Sequence, residues 1–167
     1  FMTHKTINRD KSPSNRLIPA QQPHRDDKPE ADRVIVWNCP LFDFSGYASI
    51  ARNTLMGLKQ QNYPVSIIPN SKLIHSDFEI ETVKTLINSV IQTPPLNSLF
   101  IYFGLPADGS GHSSLAAIRS QYPFLSHMIS YSMFETDRIS EAWVDSFKDV
   151  EEVWVPTKFN YETYKNS

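Results

Sequence analysis

The chain has 167 residues, 40% of them apolar and 20% charged, with a formal net charge of −2, which suits one domain able to bury a core. That balance excludes the clustered basic surface of a nucleic-acid binder, no apolar run reaches the roughly 18 residues of a membrane span, and the polar N-terminus argues against a secretory signal. A single cysteine, Cys39, excludes an internal disulfide and a thiolate zinc cluster, so the expected setting is soluble and cytoplasmic.

Residues 1 to 31 differ in composition from the rest of the chain. The stretch NRDKSPSNRLIPAQQPHRDDKPEAD carries four of the twelve prolines, mixed charge and few large apolar groups. It cannot offset its own ordering entropy and is expected to be a flexible arm or linker. The opening Phe1 points to processing or a fragment. From Asp32 onward, over residues 32–167, short apolar runs alternate with helical periodicity. Arg33 to Trp37 is a β-branched strand closed by Asn38-Cys39-Pro40. Ala48, Ala51, Leu55 and Leu58 share a helix face. After Asn62-Tyr63-Pro64, Val65 to Ile68 is a second strand.

Ser76 and Glu79 form a capping-box pair before Ile80, Val83, Ile87 and Val90 on one helical face, and Thr93-Pro94-Pro95 stops that helix. Leu99 to Phe103 is the third strand. A loop with Gly109, Gly111 and His112 precedes a short helix containing Leu115 and Ile118. His127 to Tyr131 is the fourth strand. Ser140 caps a helix bearing Trp143, Val144 and Phe147. Glu152 to Val155 is the fifth strand, and Pro156-Thr157 opens a last helix. Strict alternation of this kind predicts an α/β fold, a Rossmann-like doubly wound parallel sheet. The expected strand order is 3-2-1-4-5.

In such sheets a ligand sits beyond the carboxyl ends of the strands, where their order reverses. The expected order puts the reversal between the first and fourth strands, at the loops Cys39 to Tyr47 and Ser132 to Arg138. In the first loop, Ser45-Gly46-Tyr47 enters a helix. Gly46 admits positive φ and close backbone approach, and the helix amides favour an anion; alternatively, Ser45 only caps the helix and Gly46 only permits the turn. In the second, Glu135 and Thr136 face a polar ligand, while Asp137 or Ser140 serves as a cap. There is no GxGxxG or Walker lysine, no G-x-S-x-G elbow and no metal-ligand spacing. Cys39 reads as a buried small apolar residue.

The segment SGYASIARNTLMGLKQQNYPVSIIP resembles the opening of the acceptor-side half of GT-B glycosyltransferases, above all the large retaining group 1 family. The run YSMFETDRISEAWVDSFKDVEEVWVPTKFNYETYKNS is similar to that family's F-E-x-D-R-x strand end, tryptophan-bearing helix and V-W-V-P-[ST]-x-F-N junction. The likeness spans Arg33 to Ser167, with residues 70–125 undiagnostic. It implies the acceptor-side half of an enzyme that moves a sugar from a nucleotide-sugar donor to a carbohydrate or other glycosyl acceptor with retention, without a metal or other cofactor. Ser45, Gly46 and Tyr47 would approach the donor diphosphate. Phe134, Glu135 and Thr136 would line the cleft, with Glu135 and Thr136 nearest the reacting centre. Thr157, Lys158, Phe159 and Asn160 would begin a helix near the interdomain face, with Lys158 and Asn160 binding donor or acceptor. The donor half, with its E-x7-E motif and basic phosphate clamp, is missing from these residues, so the chain alone is expected to be inactive. The alternative is a non-catalytic binding or interaction module derived from such a domain; an unrelated flavodoxin-like nucleotide binder is a third reading.

Overall fold

The computed structural model describes residues 34–71 and 81–167. The expected arm and the Ser76–Glu79 pair lie outside these residues. Within them, the alternation predicted from the sequence is realised as β1 (Ile35–Cys39), α1 (Gly46–Gln60), β2 (Val65–Pro69), α2 (Glu81–Ile87), β3 (Leu99–Phe103), α3 (Ser114–Gln121), β4 (His127–Tyr131), α4 (Glu141–Ser146), β5 (Glu152–Trp154) and α5 (Lys158–Lys165). All four strand pairings are parallel. No helix among the described residues is long and apolar enough to cross a membrane.

The pleat sends alternate residues to opposite faces of the sheet, and both faces are buried. Ile101 and Phe103 of β3 join Trp37, Leu55 of α1 and Leu86 of α2 on one face. Phe100 and Tyr102 join Val36, Met128 and Leu115 of α3 on the other. A third cluster gathers Ile139, Trp143, Val155 and Tyr164 around α4 and α5. Each of α1, α3, α4 and α5 begins at a hydroxyl residue (Ser45, Ser113, Ser140 and Thr157) whose side chain accepts a first-turn amide hydrogen, removing an otherwise orphaned donor.

The strand order corrects the expectation. It is β2-β1-β3-β4-β5, so Leu99–Phe103 lies beside β1, in the register Ile35↔Leu99, and not outside β2. The cause is the segment read as the end of the second helix. That helix stops at Ile87, whose side chain is 53% exposed, while Val83 and Leu86 make its buried face. Val90 then leaves the helix and forms a parallel bridge with Ile67, held by Ile67 N–H to Ser89 O (2.8 Å) and Ile91 N–H to Ile67 O (2.8 Å). A rudimentary strand therefore occupies the outer flank of β2. Counted as third in chain order, it makes the arrangement 3-2-1-4-5-6.

At the amino ends of the strands, Arg119 of α3 ties the sheet together. Its guanidinium donates to Leu125 O (2.6 Å), to Asp149 O (3.1 and 3.0 Å) and to both Glu151 carboxylate oxygens (2.9 and 2.8 Å). Glu151 also accepts the Met128 amide hydrogen (2.6 Å). The fork matches a carboxylate in a way that lysine cannot. Arg119→Ala is expected to lower unfolding free energy by about 1–3 kcal/mol, since several partly buried acceptors lose a charged donor. Urea denaturation measures this, and a loss below about 0.5 kcal/mol would mean that water replaces the guanidinium.

Candidate functional site

With β3 between β1 and β4, the reversal of strand order falls between β1 and β3. A ligand is expected in the crevice outside the carboxyl ends of those two strands. A depression of about 310 Å³ lies there, lined among others by Pro40, Tyr47, Asn70, Tyr102, Asp108 and Ser114. The facing loops are thus Cys39–Tyr47, as expected, and Gly104–Ser113, in place of Ser132–Arg138.

The first loop is held from behind. Arg52 of α1, a buried side chain, donates to Leu41 O (2.9 Å) and Asp43 O (2.9 Å), so this arginine shapes the loop. The Asp43 carboxylate accepts the Ser45 amide hydrogen at 2.9 Å. Burial opposes ionisation of Asp43, but its hydrogen bonds to Ser45 and Ser71 and the Arg52 charge outweigh burial and keep its pKa below the ordinary value. A negative charge therefore already stands at the entrance to α1. Ser45 caps the helix through its hydroxyl, which accepts from Ala48 N–H at 3.1 Å. Gly46 lacks the positive φ expected of it, and a Cβ there would meet open space. Its freedom is required by neither turn nor packing. Cys39 is fully buried, and burial, with Asp43 adding to it, pushes its thiol up to about 12, so it is inert.

Tyr47 links the first loop to the loop after β4. Its hydroxyl donates to Met133 O at 2.9 Å, and its ring rests on Phe103 with centroids 4.9 Å apart. Burial raises the Tyr47 pKa, hydrogen bonds to Met133 and Ser132 oppose the rise, and the nearby charge of Glu135 adds to it. Tyr47 and Glu135 are thus neighbours across the two loops.

The loop after β4 is fixed from α5 by three side chains. Tyr164 Oη donates to Ser132 Oγ (3.0 Å), Asn160 Nδ2 donates to Phe134 O, and Thr163 Oγ1 donates to Thr136 O (3.1 Å). Asn160 is buried and its Oδ1 accepts from Thr157 Oγ1 (2.9 Å), so its amide positions the loop and is not left open to a ligand. Phe134 turns inward, its ring 4.6 Å from that of Trp143. The Thr136 hydroxyl donates to Arg138 O at 2.8 Å. Glu135 is exposed, and among the described residues no hydrogen bond engages its carboxylate. Lys158 is exposed at the start of α5.

In the loop after β3 the sequence marks two glycines, Gly109 and Gly111, and one imidazole, His112. That side chain is 82% exposed and stays close to its own turn, with Nδ1 3.1 Å from Ser110 Oγ. The residues of this region that line the depression are Tyr102, Gly104, Leu105, Ala107, Asp108 and Ser114. Packing is tight at Gly104: a Cβ would stand 3.0 Å from the Tyr102 hydroxyl, which donates to Leu105 O (2.8 Å). Gly111 takes φ +85° to close the turn back to Asp108. Among the described residues no three His, Cys, Asp or Glu side chains group as a metal site. No protein-family model matches the chain, and no curated protein or solved structure is significantly similar to it.

Two stability measurements separate placement from ligand contact. Asn160→Ala is expected to cost about 1–3 kcal/mol, because the Phe134 carbonyl and the Thr157 hydroxyl lose a buried partner, whereas Lys158→Ala stays within about 0.5 kcal/mol; equal effects in denaturant titrations would refute the clamp. Gly46→Ala is expected to stabilise the fold by about 0.4–1 kcal/mol through the unfolded chain, and a loss on thermal unfolding would show that the glycine is structurally required.

Proposed function

We propose that this chain is the acceptor-side half of a retaining GT-B glycosyltransferase, which moves a sugar from a nucleotide-sugar donor held by a second domain to an acceptor bound here. The observation that carries this reading is the fixed presentation of Glu135. Its loop is tied at Ser132, Phe134 and Thr136 by α5 and at Met133 by Tyr47, while its own carboxylate stays exposed beside the carboxyl edge of the sheet. A charge held by a rigid scaffold needs no reorganisation when a reaction generates its counter-charge. In sugar transfer the donor ring becomes oxocarbenium-like and the acceptor hydroxyl gives up a proton. A carboxylate in this position stabilises the first and orients the second. The motif FETDR, which motivates the family likeness, thus supplies an exposed acid together with the backbone carbonyls that fix it.

Two further features support the assignment to the acceptor side. Among the described residues, no lysine or arginine lines the depression, and Asp43 already places a carboxylate at the α1 entrance. Such a surface suits hydroxyls better than a diphosphate, whose charge then has to be met by the opposing domain. In addition, Phe44 and Leu105, on the loops beyond β1 and β3, and Phe159, in the first turn of α5, are 72%, 50% and 54% exposed, an apolar rim on the edge that a second domain would cover.

The test is steady-state transfer from a panel of nucleotide sugars by the chain joined to its donor-binding domain. Glu135→Gln is expected to lower kcat/KM at least about tenfold, or 1.4 kcal/mol, with the unfolding midpoint unchanged. Undiminished transfer removes Glu135 from the reaction. Turnover by residues 1–167 alone, near the 1–10³ s⁻¹ typical of enzymes, would overturn the half-enzyme reading; absence of transfer in the joined protein would favour the non-catalytic binding module.

A further inference from the structure

Three hydroxyls meet beneath the loop that carries Glu135. Tyr164 and Ser132 are 5% and 0% exposed, and the Ser132 backbone is fixed by its own amide, which donates to Trp154 O (3.0 Å). Tyr164 Oη donates its hydrogen to Ser132 Oγ (3.0 Å). Tyr47 Oη donates its hydrogen to Met133 O (2.9 Å) and is also hydrogen-bonded to the Ser132 side chain. Burial raises the pKa of both tyrosines, so each keeps its hydrogen at neutral pH.

Counting hydrogens fixes the direction of the series. A hydroxyl has one hydrogen to give and two lone pairs to offer. The Tyr164 hydrogen is on Ser132 and the Tyr47 hydrogen is on Met133 O, so the hydrogen between Ser132 and Tyr47 comes from Ser132. The order is Tyr164 to Ser132 to Tyr47 to the Met133 carbonyl, and every bond points the same way. Bonds in such a series polarise one another and strengthen by about 10–30% each. The series starts on α5, passes through the residue after β4 and finishes from α1, so three elements share one set of bonds. Tyr47, its last hydroxyl, has two tasks. Its ring lines the depression between β1 and β3 and rests on Phe103, with centroids 4.9 Å apart. Its hydroxyl holds Met133, two residues before Glu135. Rotation of this one side chain moves the crevice wall and releases the Glu135 loop together.

We propose that Tyr164, Ser132 and Tyr47 act as one directional hydroxyl chain, and that Tyr47 is the positioning residue that fixes Glu135 relative to the crevice between β1 and β3. The consequence for catalysis rests on the sugar-transfer reading above; the chain itself does not. Tyr47 thereby moves from the diphosphate contact that the family likeness implies to a support of the carboxylate.

The experiment starts with urea unfolding of residues 1–167 and of Tyr164→Phe, Tyr47→Phe and the double variant, all of which keep both rings. Each single change is expected to lower the folding equilibrium constant about 3–12-fold, the loss of one hydrogen bond. The double change should fall short of the product of the two by about threefold, because the hydroxyls are linked through Ser132, and in a Ser132→Ala background the losses should simply multiply. Nitrogen-15 relaxation reads the positioning. The Glu135 order parameter should fall in Tyr47→Phe from the rigid range near about 0.85 toward the flexible range below about 0.6. It should keep the parent value in Tyr122→Phe, which removes a hydroxyl beside Gln92 at the opposite edge of the sheet. In the protein joined to its donor-binding domain, Tyr47→Phe is expected to lower kcat about tenfold at unchanged KM, as misplacement of a reacting group does, and to add no further loss to Glu135→Gln.

Losses that multiply in the parent background, or an unchanged Glu135 order parameter, overturn the proposal. So does a raised KM at unchanged kcat, which returns Tyr47 to ligand contact, and so does transfer that Glu135→Gln weakens and Tyr47→Phe leaves untouched. Coupled losses and a loosened Glu135, with no transfer by the joined protein, support the chain and discard the sugar-transfer reading alone.

Discussion

The pairing of β3 with β1 is the constraint on which the whole functional edge depends. Ile35 opposite Leu99 and Asn38 opposite Tyr102 set the two strands in register. Their carboxyl ends therefore finish together and the loops beyond them diverge on either side of one crevice. The choice of flank is made by a small element. Ser89, Val90 and Ile91 take the outer side of β2 with two short backbone hydrogen bonds, and the next strand closes on the free side of β1. Both flanks of β1 are then satisfied, as buried backbone groups require.

A second constraint makes the carboxyl edge rigid where chemistry is proposed. The last helix contributes polar groups from one side to the loop after β4: Asn160, Thr163 and Tyr164 are all buried, and each donates to that loop. Tyr47 reaches the same loop from α1. Buried polar side chains are stable when they are hydrogen-bonded, and here their partners are the backbone carbonyls and hydroxyl flanking Glu135. Much of the polar content of the FETDR region and of α5 is thereby committed to positioning, which leaves few groups free to meet a ligand. The exposed Glu135 carboxylate stands out against that background.

The same reasoning separates two arginines from a binding role. Arg52 and Arg119 both sit where their charge is consumed by carbonyls or a carboxylate of the chain itself. Beyond the carboxyl ends of the strands, the loops carry Asp43, Asp108 and Glu135 together with the exposed Arg138 and Lys158. The depression itself is mostly apolar, and among the described residues no lysine or arginine lines it. It is ill suited to hold a nucleotide diphosphate by itself.

The sequence by itself determined the five strands to within about two residues, because β-branched and aromatic runs such as Leu99 to Phe103 end at proline or glycine, signals that act locally. The serine at position 140 was likewise legible as a cap, since capping depends on residues within one turn. Helical periodicity misplaced Val90, because a residue at the right spacing for a helix face is equally able to pair with a neighbouring strand, and only Ile67 across the sheet decides between them. The inward turn of Phe134 toward Trp143 and the engagement of Asn160 were equally illegible, because each depends on a partner from a separate element. Asp108 gave no signal for the same reason. Its loop became the wall of a crevice only when β3 took its place beside β1, a choice between two flanks that no local pattern encodes.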